Sequence, residues 1–245
     1  MARKLLSVLR NWLWGVGSIL CTALFWSSSA AQYREPSEYN PTEVRFVSAG
    51  LLQSDFRPLA SNTLDDSLAI RYDQLMPVIG FRQGGVEILA GYTRYDLRGA
   101  SCESVILSAT VLQDLMVAGG GQEALLLPVM FSSDFVKAET QGPERETFSV
   151  TSLGIGAGLK FRSFGRSHDA WVSLLGVAHY SFEGLGTGSG FSPALIGEAT
   201  VLLPDAVWSV SLAMGYRFRL QSWSMSEERF NYRSVSHGPY IGVAF

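Results

Sequence analysis

The chain has 245 residues, of which 47% are hydrophobic and only 17% charged, with 25 glycines, 14 Phe, 9 Tyr and 6 Trp. Soluble domains average roughly 25% charged residues. A chain this poor in charge and rich in apolar side chains is not disordered. With 16 Arg and 3 Lys against 22 acids, the net charge of −3 excludes an electrostatic nucleic-acid binder, which needs clustered cations to neutralise phosphates.

Residues 1–31 have the three parts of a secretory signal peptide. Arg3, Lys4 and Arg10 form a basic start, residues 12–26 an uncharged apolar stretch, and Ser28, Ser29, Ala30 and Ala31 a small-residue end suited to cleavage near Ala31. The apolar stretch, at roughly 15 residues, is short of the ~20 that a spanning helix needs. Removing the segment takes three positive and no negative charges from the net −3, leaving −6. It also removes Cys21, so Cys102 stands alone and no internal disulfide can form. Cys102 beside Glu103 reads as a spare small residue, not a nucleophile.

Beyond residue 31 the dominant signal is alternation at period two, in segments separated by turn residues. The segments are 44–56, 68–81, 86–97, 104–117, 123–135, 147–162, 169–182, 191–203, 207–222 and 237–245. Val105, Leu107, Ala109 and Val111 oppose Ser104, Ser108, Thr110 and Asp114. In the sixth segment Leu153, Ile155, Ala157, Leu159 and Phe161 oppose Ser152, Gly154, Gly156, Gly158 and Lys160. The seventh sets Val172, Leu174 and Tyr180 against Ser173 and His179, with Leu175 and Val177 as exceptions. In the ninth, Trp208 to Phe218 at even positions oppose Ser209, Ser211, Ala213, Gly215, Arg217 and Arg219.

One face is thus apolar and aromatic, and the other small, polar and occasionally charged. A soluble sandwich carries Lys and Glu on its wet face; Gly, Ser, Ala and Thr suit a crowded interior. That inverted pattern is expected of a membrane barrel with apolar residues toward lipid. The connectors agree. Residues 82–85, 118–122, 163–168 and 204–206 are tight and rich in turn residues. Those after odd-numbered segments (57–67, 136–146, 183–190 and 223–236) are longer, with 98–103 a short exception. Short and long connections alternate as in outer-membrane barrels.

The last nine residues, His237 to Phe245, end on an aromatic, with Ile241, Val243 and Phe245 on one face and Tyr240 on the other. This resembles the C-terminal strand of small bacterial outer-membrane β-barrels, the OmpA-like, OmpW-like and OmpX-like class. The resemblance implies an all-β, up-and-down antiparallel transmembrane barrel in the cell outer membrane. It also implies Tyr240, Ile241, Val243 and Phe245 as the signal read by the barrel insertion machinery. Outer-membrane lipid and lipopolysaccharide would be its partners. Ten strands are expected, or eight if the first pair is irregular. The chain then divides into a signal peptide (1–31), a short periplasmic segment (32–43) and the barrel (44–245).

Lipid cannot satisfy backbone N–H and C=O groups, so a spanning sheet must close. A barrel of this size has an interior nearly filled by side chains. Alternation turns Glu87, Asp114 and Glu198 inward, together with Arg71, Lys160, Arg217 and Arg219. They are expected to pair, as a lumen charge network that plugs the barrel or forms a charged constriction for small solutes. Counting back from a turn at 204–206 places Glu198 near Leu212 and Arg217 opposite Pro193.

Other chemistry is thinly supported. His168, His179 and His237 have no metal-ligand spacing, and the glycines at 119–121 lack the lysine and helix of a phosphate loop. No cofactor is implied. His179 and Ser181, two apart on one strand face, could act as base and nucleophile, with Glu183 or Glu198 orienting the histidine. They faintly resemble the His-x-Ser strand of the lipid A deacylases, which would imply a lipid hydrolase. That family continues with Asn after the Ser, and Phe182 stands here. The non-enzymatic alternative is a barrel serving envelope integrity, surface interaction or narrow solute passage.

Overall fold

A computed structural model describes residues 45–244 apart from 66–67, 98, 121, 141–145, 166–167, 184–187 and 208–209. The expected signal peptide, the segment 32–43 and Phe245 lie outside the described residues. Ten antiparallel strands run β1 (Arg45–Pro58), β2 (Tyr72–Gln83), β3 (Val86–Leu97), β4 (Ala100–Gly120), β5 (Glu123–Thr140), β6 (Thr147–Phe164), β7 (Asp169–Glu183), β8 (Ser189–Val207), β9 (Val210–Met225) and β10 (Tyr232–Ala244). Each pairs with its sequence neighbours, and β1 also pairs with β10, from Phe46 opposite Ala244 to Pro58 opposite Tyr232. The sheet is therefore a closed barrel, and no strand is left with an unpaired edge.

The side-chain period of two sorts the chain as its sequence suggests. Ile88, Leu107, Phe131, Leu153, Ile155, Leu159, Val172 and Leu174 are exposed on the outside. Tyr180 and Phe191 face each other across β7 and β8 near the long connections, while Phe81 and Phe161 lie toward the tight turns. The outer surface is thus an apolar band with aromatics toward both edges. Ser104, Ser108, Ser132, Ser152, Ser173, His179, Ser181, Ser192 and Thr200 are buried inside. Leu175 and Val177, the apolar exceptions in β7, are buried as well.

At the β2–β3 turn Gln83 pairs with Val86, and Gly84 takes φ 57°, the left-handed backbone that a two-residue hairpin loop demands. At the opposite end of the barrel most strands outrun the sequence segments, whereas β2 begins only at Tyr72 instead of 68. β10 begins at Tyr232 instead of 237, and β9 ends at Met225 instead of 222, so the expected connector 223–236 shrinks to a short link around a 3-10 helix, Glu228–Phe230. The reason is that Tyr232, Ser234 and Ser236 turn inward while Arg233, Val235 and His237 face out. Such a strand has no apolar outer face and reads as a loop.

Pro204-Asp205-Ala206 is also not the turn. β8 runs through it to Val207, which pairs with Val210, and the register shifts between Leu203 and Val207. Asp205 adopts φ 48° there, and its N–H donates to Ser211 Oγ at 3.3 Å. Proline inside a sheet is tolerated at such an irregularity. The consequence for the lumen is large: Glu198 stands directly opposite Arg217, not near Leu212.

Candidate functional site

The polar part of the interior has three zones. Toward the tight turns, Arg162 binds Asp169 with both carboxylate oxygens engaged, at 2.8 and 2.5 Å, across the β6–β7 hairpin. Such a fork-to-fork pair is a strong, directional one. Lys160 Nζ, on the same inward face of β6, donates 2.6 Å to Asp114 Oδ2 on β4. Its ammonium also lies 5.5 Å from the centre of the Trp171 ring.

Next comes a four-charge cluster. Arg82 Nη2 donates to Glu87 at 2.8 Å and to both oxygens of Glu198 at 2.9 Å. Arg217 donates to Glu87 through Nη2, and its Nε lies 3.4 Å from Glu198 Oε1. Trp171 Nε1 and Tyr240 OH also donate to Glu198, at 3.2 and 3.0 Å. The Arg217 guanidinium lies 4.3 Å from the centre of the Tyr240 ring. Phe46, Trp171 and Tyr240 pack against it and, with Leu202, Ala213 and Ala244, form one buried apolar cluster.

A third set lies further from the tight turns. Arg219 grips Asp134 at 3.1 and 2.6 Å, and Gln221 accepts from Arg219 at 2.7 Å. Ser108 donates 2.6 Å to Asp134 Oδ1. His179 Nε2 lies 2.8 Å from Ser132 Oγ and 3.0 Å from Asp134 Oδ2, and its Nδ1 lies 2.9 Å from the Ser192 carbonyl. Gly154 on β6 makes room for this ring, because a Cβ there would land on the imidazole.

Above these sets the interior changes character. Phe56, Tyr72, Tyr95, Phe148, Trp223, Phe230 and Tyr232 join Ile70, Cys102, Val136 and Val150 in one buried core across the end that bears the long connections. Phe56 stacks on Tyr232 at 4.8 Å between ring centres and meets Phe148 edge-on at 5.2 Å. The 59–71 loop supplies Ile70, whose N–H donates to Tyr232 OH at 3.3 Å. The loop is tied down by Leu59 N–H to the Asn231 carbonyl and Asn62 Nδ2 to the Arg229 carbonyl.

Between this core and the tight turns lies a cavity of about 740 Å3. Leu89, Leu112, Leu126, Met130, Leu175 and Ile196 line it, interleaved along the same strands with the ion pairs, and Trp223 lines it too. It reaches the tight-turn end at Gly84, Gly85, Asp114 and Ala124.

The structure brings together Glu87, Glu198 and Arg217, pairs Asp114 with Lys160, and sets Arg219 on Asp134. Arg71 does not join them: it is exposed one residue before β2, whose inward positions are the even ones, Tyr72 through Arg82. His179 and Ser181 are both buried but are not brought together. Both ring nitrogens of His179 are engaged elsewhere, and Ser181 Oγ shares a 2.6 Å hydrogen bond with Ser152. Of the terminal residues, Tyr240 is inward on Glu198, Ile241 is exposed on the outside, and Val243 is buried.

Arg82, Asp134, Arg162 and Asp169 are lumen charges that the sequence reading missed, although the parity of β6 puts Arg162 on the face of Lys160. Arg82 looks like part of a turn, and Arg162 and Asp169 flank one. Asp134 sits on a face shared with Leu126, Met130 and Val136, so β5 has no clean polar side. The one signal available was spacing, since Asp134 follows Ser132 by a single period.

No family model matches the chain, and no curated protein matches it. Among solved structures it is similar to the outer membrane protease OmpT of Escherichia coli, at 6% identity over 88% of this chain and 99% of that one, with a TM-score of 0.42. It is also similar to Neisserial surface protein A, at 15% identity over 82% and 97%, TM-score 0.32. A third is Ail, the attachment invasion locus protein of Yersinia pestis, at 8% identity over 83% and 99%, TM-score 0.20. The chain has the architecture of a small outer-membrane β-barrel. The closed sheet, the outward apolar band and the inward polar groups of its own structure carry that statement.

Proposed function

We propose that this chain is an integral outer-membrane barrel that does not conduct, exported by its signal peptide and held in lipid with its long connections outward. The observation that carries this reading is the aromatic core across the loop end, from Phe56 to Tyr232. The sequence suggests a polar plug; the closure at that end is apolar and continuous with a folded loop. Hydrated ions cannot cross packed aromatic rings without a desolvation penalty of several kcal/mol. The barrel is thus suited to a structural or binding role in the envelope, with lipopolysaccharide around its outer rim.

Planar-bilayer recording tests this directly. The parent protein is expected to give no steady conductance, whereas a Phe56→Ala/Phe148→Ala/Tyr232→Ala variant opens the loop end and conducts. Stable ion conductance by the parent would overturn the reading. The outer-membrane assignment is tested by insertion: deleting Phe245 is expected to slow assembly in a reconstituted insertion assay. Unchanged assembly would remove the role assigned to the C-terminal strand.

A further inference from the structure

The cavity beneath the aromatic core has the wall of a ligand site. About 740 Å3 falls within the roughly 300–1,000 Å3 of small-molecule pockets, which combine apolar walls with a few placed polar groups. Leu89, Leu112, Leu126, Met130, Leu175 and Ile196 supply apolar lining from β3, β4, β5, β7 and β8, while β6 contributes Lys160 and Arg162. Water is a poor filling along such a wall, because each buried water needs two or more polar partners.

The charged groups of the lining are paired with one another. Arg82, Lys160, Arg162, Arg217 and Arg219 balance Glu87, Asp114, Asp134, Asp169 and Glu198. An ionic head group would find no free counter-charge and would have to break an existing pair. Three side-chain atoms of the lining have no hydrogen-bond partner among the described residues: Asp114 Oδ1 at the tight-turn end, Arg217 Nε, whose guanidinium is already held between Glu87 and Glu198, and the indole N–H of Trp223, the one that belongs to no ion pair. Trp223 is 1% exposed, lines the cavity, and its Nε1 has no hydrogen-bond partner among the described residues. Buried indole N–H groups are normally satisfied, and an unmet donor carries a desolvation penalty.

We propose that the lumen cavity binds a neutral, elongated apolar molecule bearing a hydrogen-bond acceptor, which enters at the tight-turn end and presents its acceptor to Trp223 Nε1. The mouth is formed by Gly84, Gly85 and Ala124 with Asp114 beside them, and the opposite end is sealed. A long-chain primary alcohol represents this chemistry. The proposal rests on the sealed-barrel reading, since a through-pore would hold no such ligand.

The test is calorimetric titration of the full barrel in nanodiscs with 1-decanol, decane and decanoate, with empty nanodiscs as background. One saturable decanol site per barrel is expected, with decanoate weaker. Leu175→Trp, which fills the cavity, should abolish that site, while the outward Leu174→Ala should leave it intact. Trp223→Phe should weaken decanol roughly three- to tenfold, the worth of one hydrogen bond, and leave decane unchanged. Heat-modifiable gel migration checks the fold of each variant, and Ile196→Phe replaces Leu175→Trp if the latter misfolds. Decanol uptake equal to empty nanodiscs, or unchanged by either filling variant, would overturn the proposal. Conductance of the same samples reports separately on the seal.

Discussion

The two ends of this barrel are built in opposite ways. At the loop end the interior is a cluster of aromatic rings held by packing, with few obligatory partners. Toward the tight turns it is a set of carboxylates and guanidinium groups, each held in place by named partners. Packing is non-directional and its loss is graded by the volume removed. Ion pairs in a narrow lumen are directional, and their loss depends on what is left unpaired. The outside of the barrel does not dictate this difference.

That contrast gives predictions in descending size. Phe148 touches Phe56, Trp223, Phe230 and Tyr232, so Phe148→Ala should cost about 4 kcal/mol in urea unfolding from vesicles. A loss below about 1 kcal/mol would mean the loop end contributes little to stability. Asp134→Ala leaves Arg219 without its carboxylate and should cost about 3 kcal/mol. Here the signature is non-additivity: Asp134→Ala combined with Arg219→Met should recover much of the loss. Two aromatic truncations at the loop end should not rescue each other in this way. A strictly additive Asp134/Arg219 cycle would erase the distinction between the two regions.

Gly154→Ala should cost about 2 kcal/mol, because the added methyl overlaps the His179 ring and forces it off Asp134. Combining it with His179→Ala should remove most of that penalty. The smallest effect belongs to the rim. Arg229 pairs with Glu227 in an exposed link, and Arg229→Ala should change stability by less than about 0.5 kcal/mol. A larger loss would show that the exposed rim helps hold the 59–71 loop in place.

The sequence by itself carried the strand architecture. Alternation in β4, β6 and β7 told which side chains face out, because the period of a strand is fixed at two and the outward face meets lipid. It also placed Asp114, Lys160, Glu198, Arg217 and Arg219 on the inner face. It did not carry the pairing. Glu198 lies opposite Arg217 only because β8 passes through Pro204 and Asp205 with a shifted register, and local turn preference had put the hairpin there. Arg82 reaches Glu198 from a strand distant in sequence, and Asp134 meets Arg219 across the lumen. The loop-end core was invisible for a related reason. Phe56, Tyr95, Phe148 and Trp223 lie at the ends of different strands, and that they meet in one core is written along none of them. Face is a property of a strand and is written along it, whereas partnership across a lumen belongs to the closed ring and exists only once the ring has closed.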